Sequence, residues 1–284
     1  MASQPSSSPM PTIAAAAVDA TTTTTTAPPL QASHLDTRLA SPSLPILLRT
    51  ISLRDAAAMS ALVSAPENAG ADPNARPLTP DRCAANIARQ RIDASVPSVL
   101  DPAATGGGGG RGRVLSGPSR VNMAVILLPS RREEDAPPLA GEEGEDENEE
   151  EQSETMIGLG GFGAIKDWVR DGTPLRAGDV GVMLAPAHRR RGYAAEAMRL
   201  AIDWAFTPVA AGGPQLDLVT VTTLAGNEPM VRLAEDRLGL RGRGVLRPAA
   251  GEHGESTVGE LYYELTAEAW KRLRSEGVRG GAHV

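Results

Sequence analysis

Between residues 180 and 206 the hydrophobic pattern changes period once. Residues 180–184 (VGVML) form a short apolar run that closes just before Pro186, and it predicts a buried strand. From Tyr193 onward Ala194, Ala197, Met198, Ala201, Trp204 and Ala205 recur three or four apart, with Glu196, Arg199 and Asp203 on the other side. That is an amphipathic helix reaching Phe206. A basic turn, Arg189-Arg190-Arg191-Gly192-Tyr193-Ala194, joins the two.

The same patterns predict further strands over residues 46–51, 121–128, 155–165, 216–223, 241–247 and 259–265. Helices are expected over 56–64, over 83–92 behind a Thr79 or Asp81 cap, over 228–238 and over 266–275. Asn227 would cap the third of these, with Pro229 in its first turn and Gly239 at its stop. Strand, helices, three strands, helix, strand, helix and two strands make an α/β sheet of mixed direction with helices on both faces.

Composition trims the folded part of the 284 residues. Residues 1–45 are rich in Ser, Thr, Ala and Pro, with an unbroken threonine run at 21–26, and read as a disordered tail. Deleting residues 1–43 should on this reading leave fold and activity intact. Low-complexity insertions are expected at about 101–120, around the glycine run 106–110, and at 129–154. The domain would then span 46–276, with a C-terminal tail at 277–284. Net charge is −7, but residues 142–151 alone hold eight acidic side chains, so the remainder is close to neutral. No long basic face argues for a nucleic-acid partner.

Cys83 is the only cysteine, and the four histidines lack metal-ligand spacing, so no metal site is expected. No apolar run is long enough to cross a membrane, and the first forty residues lack a signal-peptide layout. The cytoplasm is the expected location, with nuclear import left open. Gly158-x-Gly160-x-x-Gly163 has dinucleotide-loop spacing, but Asp167 and Trp168 and then a loop are expected after it, not a long helix. The glycine run 106–110 lacks the lysine and hydroxyl residue of a phosphate loop.

A glycine turn entering a helix presents bare N–H groups and a positive dipole end, which suit a phosphate. Residues 189–194 fit Arg/Gln-x-x-Gly-x-Gly/Ala and resemble the acyl-coenzyme A loop of the GNAT N-acetyltransferase superfamily. The wording LAPAHRRRGYAAEAM is most similar to its ribosomal-protein N-terminal acetyltransferase branch. The resemblance implies a mixed, mostly antiparallel sheet of about six to seven strands. It also implies that acetyl-coenzyme A donates an acetyl group to a primary amine, namely a protein N-terminus, a lysine or a small amine. The alternative is a catalytically weak acyl-coenzyme A-binding module acting through partners.

By the same resemblance, the backbone of Val182, Met183 and Leu184 aligns the thioester, with an N–H at about Leu184 meeting the oxyanion. The amides of Arg190, Arg191, Gly192, Tyr193 and Ala194 take the diphosphate. Arg189 and Arg191 add charge near the adenosine phosphates or are simply solvated, and Asn227 bonds the pantetheine arm or simply caps its helix. Asp179 matches a carboxylate position of this branch and is either the base or a surface aspartate closing a turn. Glu196 is expected to pair with Arg199 or cap the turn. Two departures stand out: Ala234 replaces a frequent tyrosine that acts as general acid, and Met230 replaces a frequent serine or threonine.

Overall fold

The computed structural model describes residues 30–69, 76–101, 112–129, 154–248 and 259–280. The threonine run, the glycine run and the acidic run lie outside these residues, as do 281–284.

In chain order the elements are β1 (Gln31–Ala32), β2 (Arg38–Ala40), β3 (Ile46–Thr50), α1 (Ala56–Ser64), α2 (Pro66–Ala69), α3 (Pro80–Ser95), β4 (Ser98–Leu100) and β5 (Val114–Ser116). There follow β6 (Val121–Leu127), β7 (Thr155–Arg170), β8 (Thr173–Leu184), α4 (Tyr193–Ala205), β9 (Leu218–Leu224), α5 (Glu228–Arg232), β10 (Val245–Pro248), β11 (Gly259–Leu265) and α6 (Ala267–Gly280). Eight strands form one sheet in the order β10-β11-β9-β8-β7-β6-β3-β2. Every neighbouring pair is antiparallel except β8 and β9. The sheet thus has one strand more than the upper expectation, and β2 is the addition.

The alternation of β6 explains why both faces are covered. Val121, Met123 and Val125 join Ile46, Leu48, Phe162, Val180 and the apolar stripe of α4 in the main core. On the opposite face Ile51, Met59, Cys83 and Ile87 pack together with Met156 and Leu159 under α1 and α3. The glycines of β7 serve this packing. A Cβ on Gly158 would stand 2.5 Å from Met183 O, and Gly161 has φ +87° with Val121 O 2.4 Å from its missing Cβ.

The expected loop after Asp167 is absent. β7 continues to Arg170 and turns at Asp171-Gly172, whose φ values of 51° and 75° suit a two-residue hairpin of type I′. The β8 strand accordingly starts at Thr173, well before residue 180.

The tail reading fails for residues 30–45. Leu35, Leu39 and Leu44 pack against the main core, and β2 pairs with β3. The low-complexity reading of residues 101–120 fails likewise where they are described, since β5 pairs with β4. Apolar residues spaced through a low-complexity stretch outweigh its average composition here. His34, 0% exposed, ties this layer down. Its Nε2 lies 2.8 Å from Ser98 Oγ, and its ring meets Trp204 edge-on at 5.2 Å. Arg49 is also buried: both terminal nitrogens reach the Asp55 carboxylate at 2.8 Å, and Nε reaches Glu154 at 2.8 Å. Glu154, at the end of the acidic insertion, also accepts from Arg38 and Arg54.

Two predictions follow from this layer. Removing residues 1–43 deletes β1, β2 and the Arg38 bond, and is expected to lower Tm by at least about 5 °C or to abolish soluble expression. The second concerns acid. Burial, then the charge of Arg176, pulls the His34 pKa from 6.5 to about 4. The folded state therefore favours neutral His34. Its contribution is complete above pH 6.5 and lost as pH falls toward 4, roughly 3 kcal/mol over the interval. Urea melts across that range should show this slope in the wild type and not in His34→Gln.

Candidate active site at a strand fork

β8 and β9 run parallel but pair only at Ala177↔Leu218, Gly178↔Val219 and Asp179↔Thr220. Beyond Asp179 they part. Asp217 N–H donates to Arg176 O at 2.9 Å, so the main chain of Arg176 faces β9. Alternation along the strand turns the main chain of Val180, Val182 and Leu184 to the same edge. Ala185 N–H donating to Ile157 O at 2.9 Å fits this, because it makes Leu184 and Gly158 a pair that share no hydrogen bonds. Val182 and Leu184 thus carry main-chain groups into the fork without a strand opposite. Met183 does not: its main chain faces Leu159 on β7, which corrects its expected place in the ligand edge.

The chain then makes one short turn at Pro186–His188 and reaches the basic loop. Arg190 (φ 63°) and Gly192 (φ 84°) are both left-handed, which curls the loop tightly into α4. For Arg190 this conformation costs about 1 kcal/mol. The first backbone bond of α4 runs from Glu196 N–H to Gly192 O at 3.1 Å. The N–H groups of Tyr193, Ala194 and Ala195 therefore lack intrahelical acceptors and point out of the helix mouth. Arg190 and Arg191 are exposed beside them.

Asp179 sits where the strands separate. Its Oδ1 accepts from Thr220 Oγ1 at 2.7 Å and Thr222 Oγ1 at 2.8 Å. Burial raises the carboxyl pKa above 3.8; the two hydroxyls oppose the rise, nearby Glu260 adds to it and Lys166 lowers it. The carboxylate is therefore more basic than an exposed aspartate while remaining held in place.

Residues 122–241, from β6 past α5, match the family model described as an acetyltransferase (GNAT) domain. This part of the chain is similar to GNAT acetyltransferase domains. It holds the fork, the turn and Asp179 together. No curated protein matches the sequence. Among solved structures, RimJ of Mycobacterium smegmatis in complex with CoA-disulfide is similar at 18% identity and TM-score 0.50, covering 88% of this chain and 98% of that one. A ribosomal-protein-S5-alanine acetyltransferase from Vibrio fischeri aligns at 13% identity and TM-score 0.49, over 83% and 99%. A GNAT-family acetyltransferase from Bacillus anthracis aligns at 15% and 0.49, over 82% and 99%.

Other expected site residues take more structural parts. Arg189 turns away from the helix mouth. Its guanidinium bonds Asn68 Oδ1 and approaches Glu67 O and Leu184 O, each at 3.4 Å, and so clamps α2 to the end of β8. Asn68 Nδ2 donates to Leu62 O at 2.8 Å and reaches Leu184 O at 3.4 Å. The Leu184 carbonyl is thereby occupied and its N–H left to the fork. Asn227 caps α5, accepting from Met230 N–H at 3.4 Å. Glu196 is buried and accepts from Ser41 Oγ at 2.7 Å, a partner the sequence did not suggest, with Arg199 at 3.7 Å. Thr220, Thr222, Asn68 and Ser41 were missed, although the alternation of residues 218–224 places both threonines on one face.

The clamp is testable. Asn68→Ala leaves the Leu184 carbonyl and Arg189 short of partners, and is expected to cost about 1–2 kcal/mol. Urea unfolding reads the loss, and amide exchange over residues 62–69 should rise with it.

Proposed function

We propose that this GNAT domain transfers an acetyl group from acetyl-coenzyme A to a primary amine. The observation that supports it most is the unpaired edge of β8, which leads from Asp179 straight to the bare amides of α4. The pantetheine arm takes the main-chain groups of Val182 and the N–H of Leu184 as a strand would. The amides of residues 190–194 hold the diphosphate, with the charges of Arg190 and Arg191 beside it. Asn227 faces the arm from the end of β9.

The amine must be neutral to attack, so a base has to remove its proton. Asp179 takes that proton on Oδ2. The amine nitrogen adds to the thioester carbon, the oxyanion is met by a main-chain N–H, and the C–S bond breaks. The thiolate leaves and is protonated from solvent. Leu184 was the donor expected from sequence. Val182 lies three residues from Asp179, about 10 Å, against about 17 Å for Leu184. The shorter span matches an amine and a thioester carbonyl placed end to end, so the oxyanion falls to Val182 and the next amide of the arm to Leu184.

A second reading, an acyl-coenzyme A-binding module of little activity, is favoured by Ala234. It is 0% exposed and offers no hydroxyl to the leaving thiolate. Calorimetry with coenzyme A and thiol release across peptide, polyamine and aminoglycoside acceptors separate the two. Binding heat with thiol release in at least one arm is expected. Heat without release leaves the module, and no heat ends both readings. Asp179→Asn should retain coenzyme A affinity and lose about 100-fold in kcat/KM. Wild-type kcat/KM should fall as pH drops through the raised Asp179 pKa, and that acid limb should vanish in the variant.

A further inference from the structure

We propose that Thr220 and Thr222 are positioning residues that hold the Asp179 carboxylate ionised, with one oxygen tied to β9 and the other turned to the incoming amine. The inference rests on the reading of Asp179 as the base. It is carried by the geometry of the fork. Thr220 is the last residue of β9 in register with β8, and Thr222 is the next residue on the same face, beyond the last pair. Both hydroxyls reach the same oxygen, Oδ1, at 2.7 and 2.8 Å, and among the described residues Oδ2 has no hydrogen-bond partner.

A hydroxyl has one proton, and two hydroxyls donating to one carboxylate oxygen bond more strongly to the charged carboxylate than to the neutral acid, whose carbonyl oxygen is a weaker acceptor. The pair therefore counteracts the burial of Asp179. Lys166 from β7 works in the same direction, and Glu260 from β11 works against it. The Thr222 bond also spans the first gap between the parting strands. It fixes the carboxylate at the floor of the fork, below the bare main-chain edge that carries Val182. Without it the carboxyl group would protonate more readily and could rotate Oδ1 into the groove.

The test uses the full chain. The carboxyl carbon of Asp179 is followed by NMR against pH in the wild type, Thr222→Val and Thr222→Ser, with Asp179→Asn assigning the signal. The pH dependence of kcat/KM is measured on the same proteins. Removing one hydroxyl should raise the carboxyl pKa by about one unit, move the acid limb of kcat/KM up by the same amount, and cut the rate about tenfold below it. Serine keeps the donor and should restore both midpoints. A general packing defect would not shift a titration and be reversed by serine. A carboxyl midpoint that Thr222→Val and Thr220→Val both leave unmoved overturns the inference, even in an active enzyme. A moved carboxyl midpoint beside an unmoved kinetic limb overturns the base assignment, and with it the positioning role.

Discussion

The structure turns on two parallel strands that stop sharing hydrogen bonds. Main-chain N–H and C=O groups seldom go unsatisfied inside a protein, so an edge left bare in mid-sheet asks for a partner. Here the separation is built in. At Gly178, the middle of the three paired positions, there is no room for a side chain: a Cβ there would meet the Leu216 and Phe162 side chains at 2.6 Å. Opposite the next pair the β7 strand carries an extra residue, Gly163, between Phe162↔Val180 and Ala164↔Asp179. A bulge at that place increases local twist and steers β8 away from β9. Tight contact below and added twist above define a fork with Asp179 at its floor.

The helix mouth depends on chain from far outside the matched domain. Ser41 Oγ donates to Glu196, and its own oxygen accepts from Leu44 N–H at 3.0 Å, closing a compact loop. Leu44 lies 3.6 Å from where a Cβ of Gly192 would stand. Glu196 in the first turn suits the helix dipole but opposes a second anion placed there. Its bond to Ser41 and its proximity to Arg199 tie it to the protein side of the turn. The segment with the composition of a tail thus supports one wall of the proposed diphosphate site.

Much of this was legible in the chain. The end of β8 at Leu184, the turn at Gly192 and the helix expected to reach Phe206, which stops at Ala205, follow from local period and punctuation, whereas the start of β8 at Thr173 did not. Asn227 and Thr79 cap the helices expected of them. Other features depend on partners distant in sequence. The resemblance gives Arg189 a charge near the diphosphate, but only the fold shows its guanidinium bonded to Asn68, 121 residues away. Met183 sits between two residues of the ligand edge, and only the register with β7 turns its main chain away. The Asp-Gly turn at 171–172 is a local hairpin signal, masked because Lys166 and Asp167 interrupt the apolar run before Trp168 and Val169.

The two departures from the family's habit acquire a shared meaning in three dimensions. Met230 and Ala234 are both buried in the main core, one turn apart. The helix after Asn227 widens over Leu233–Arg237 into a π turn, which keeps Leu238 buried before Gly239 (φ 77°) ends it. A side chain at position 234 therefore points into packed apolar surface, and the position serves the fold. No acid stands there to meet the departing thiolate, so the chemistry proposed for this domain must draw its driving force from the attacking side. That places the burden on the amine's deprotonation. It gives the basicity of one carboxylate, set by burial against two threonine hydroxyls, more weight here than where a tyrosine shares the work.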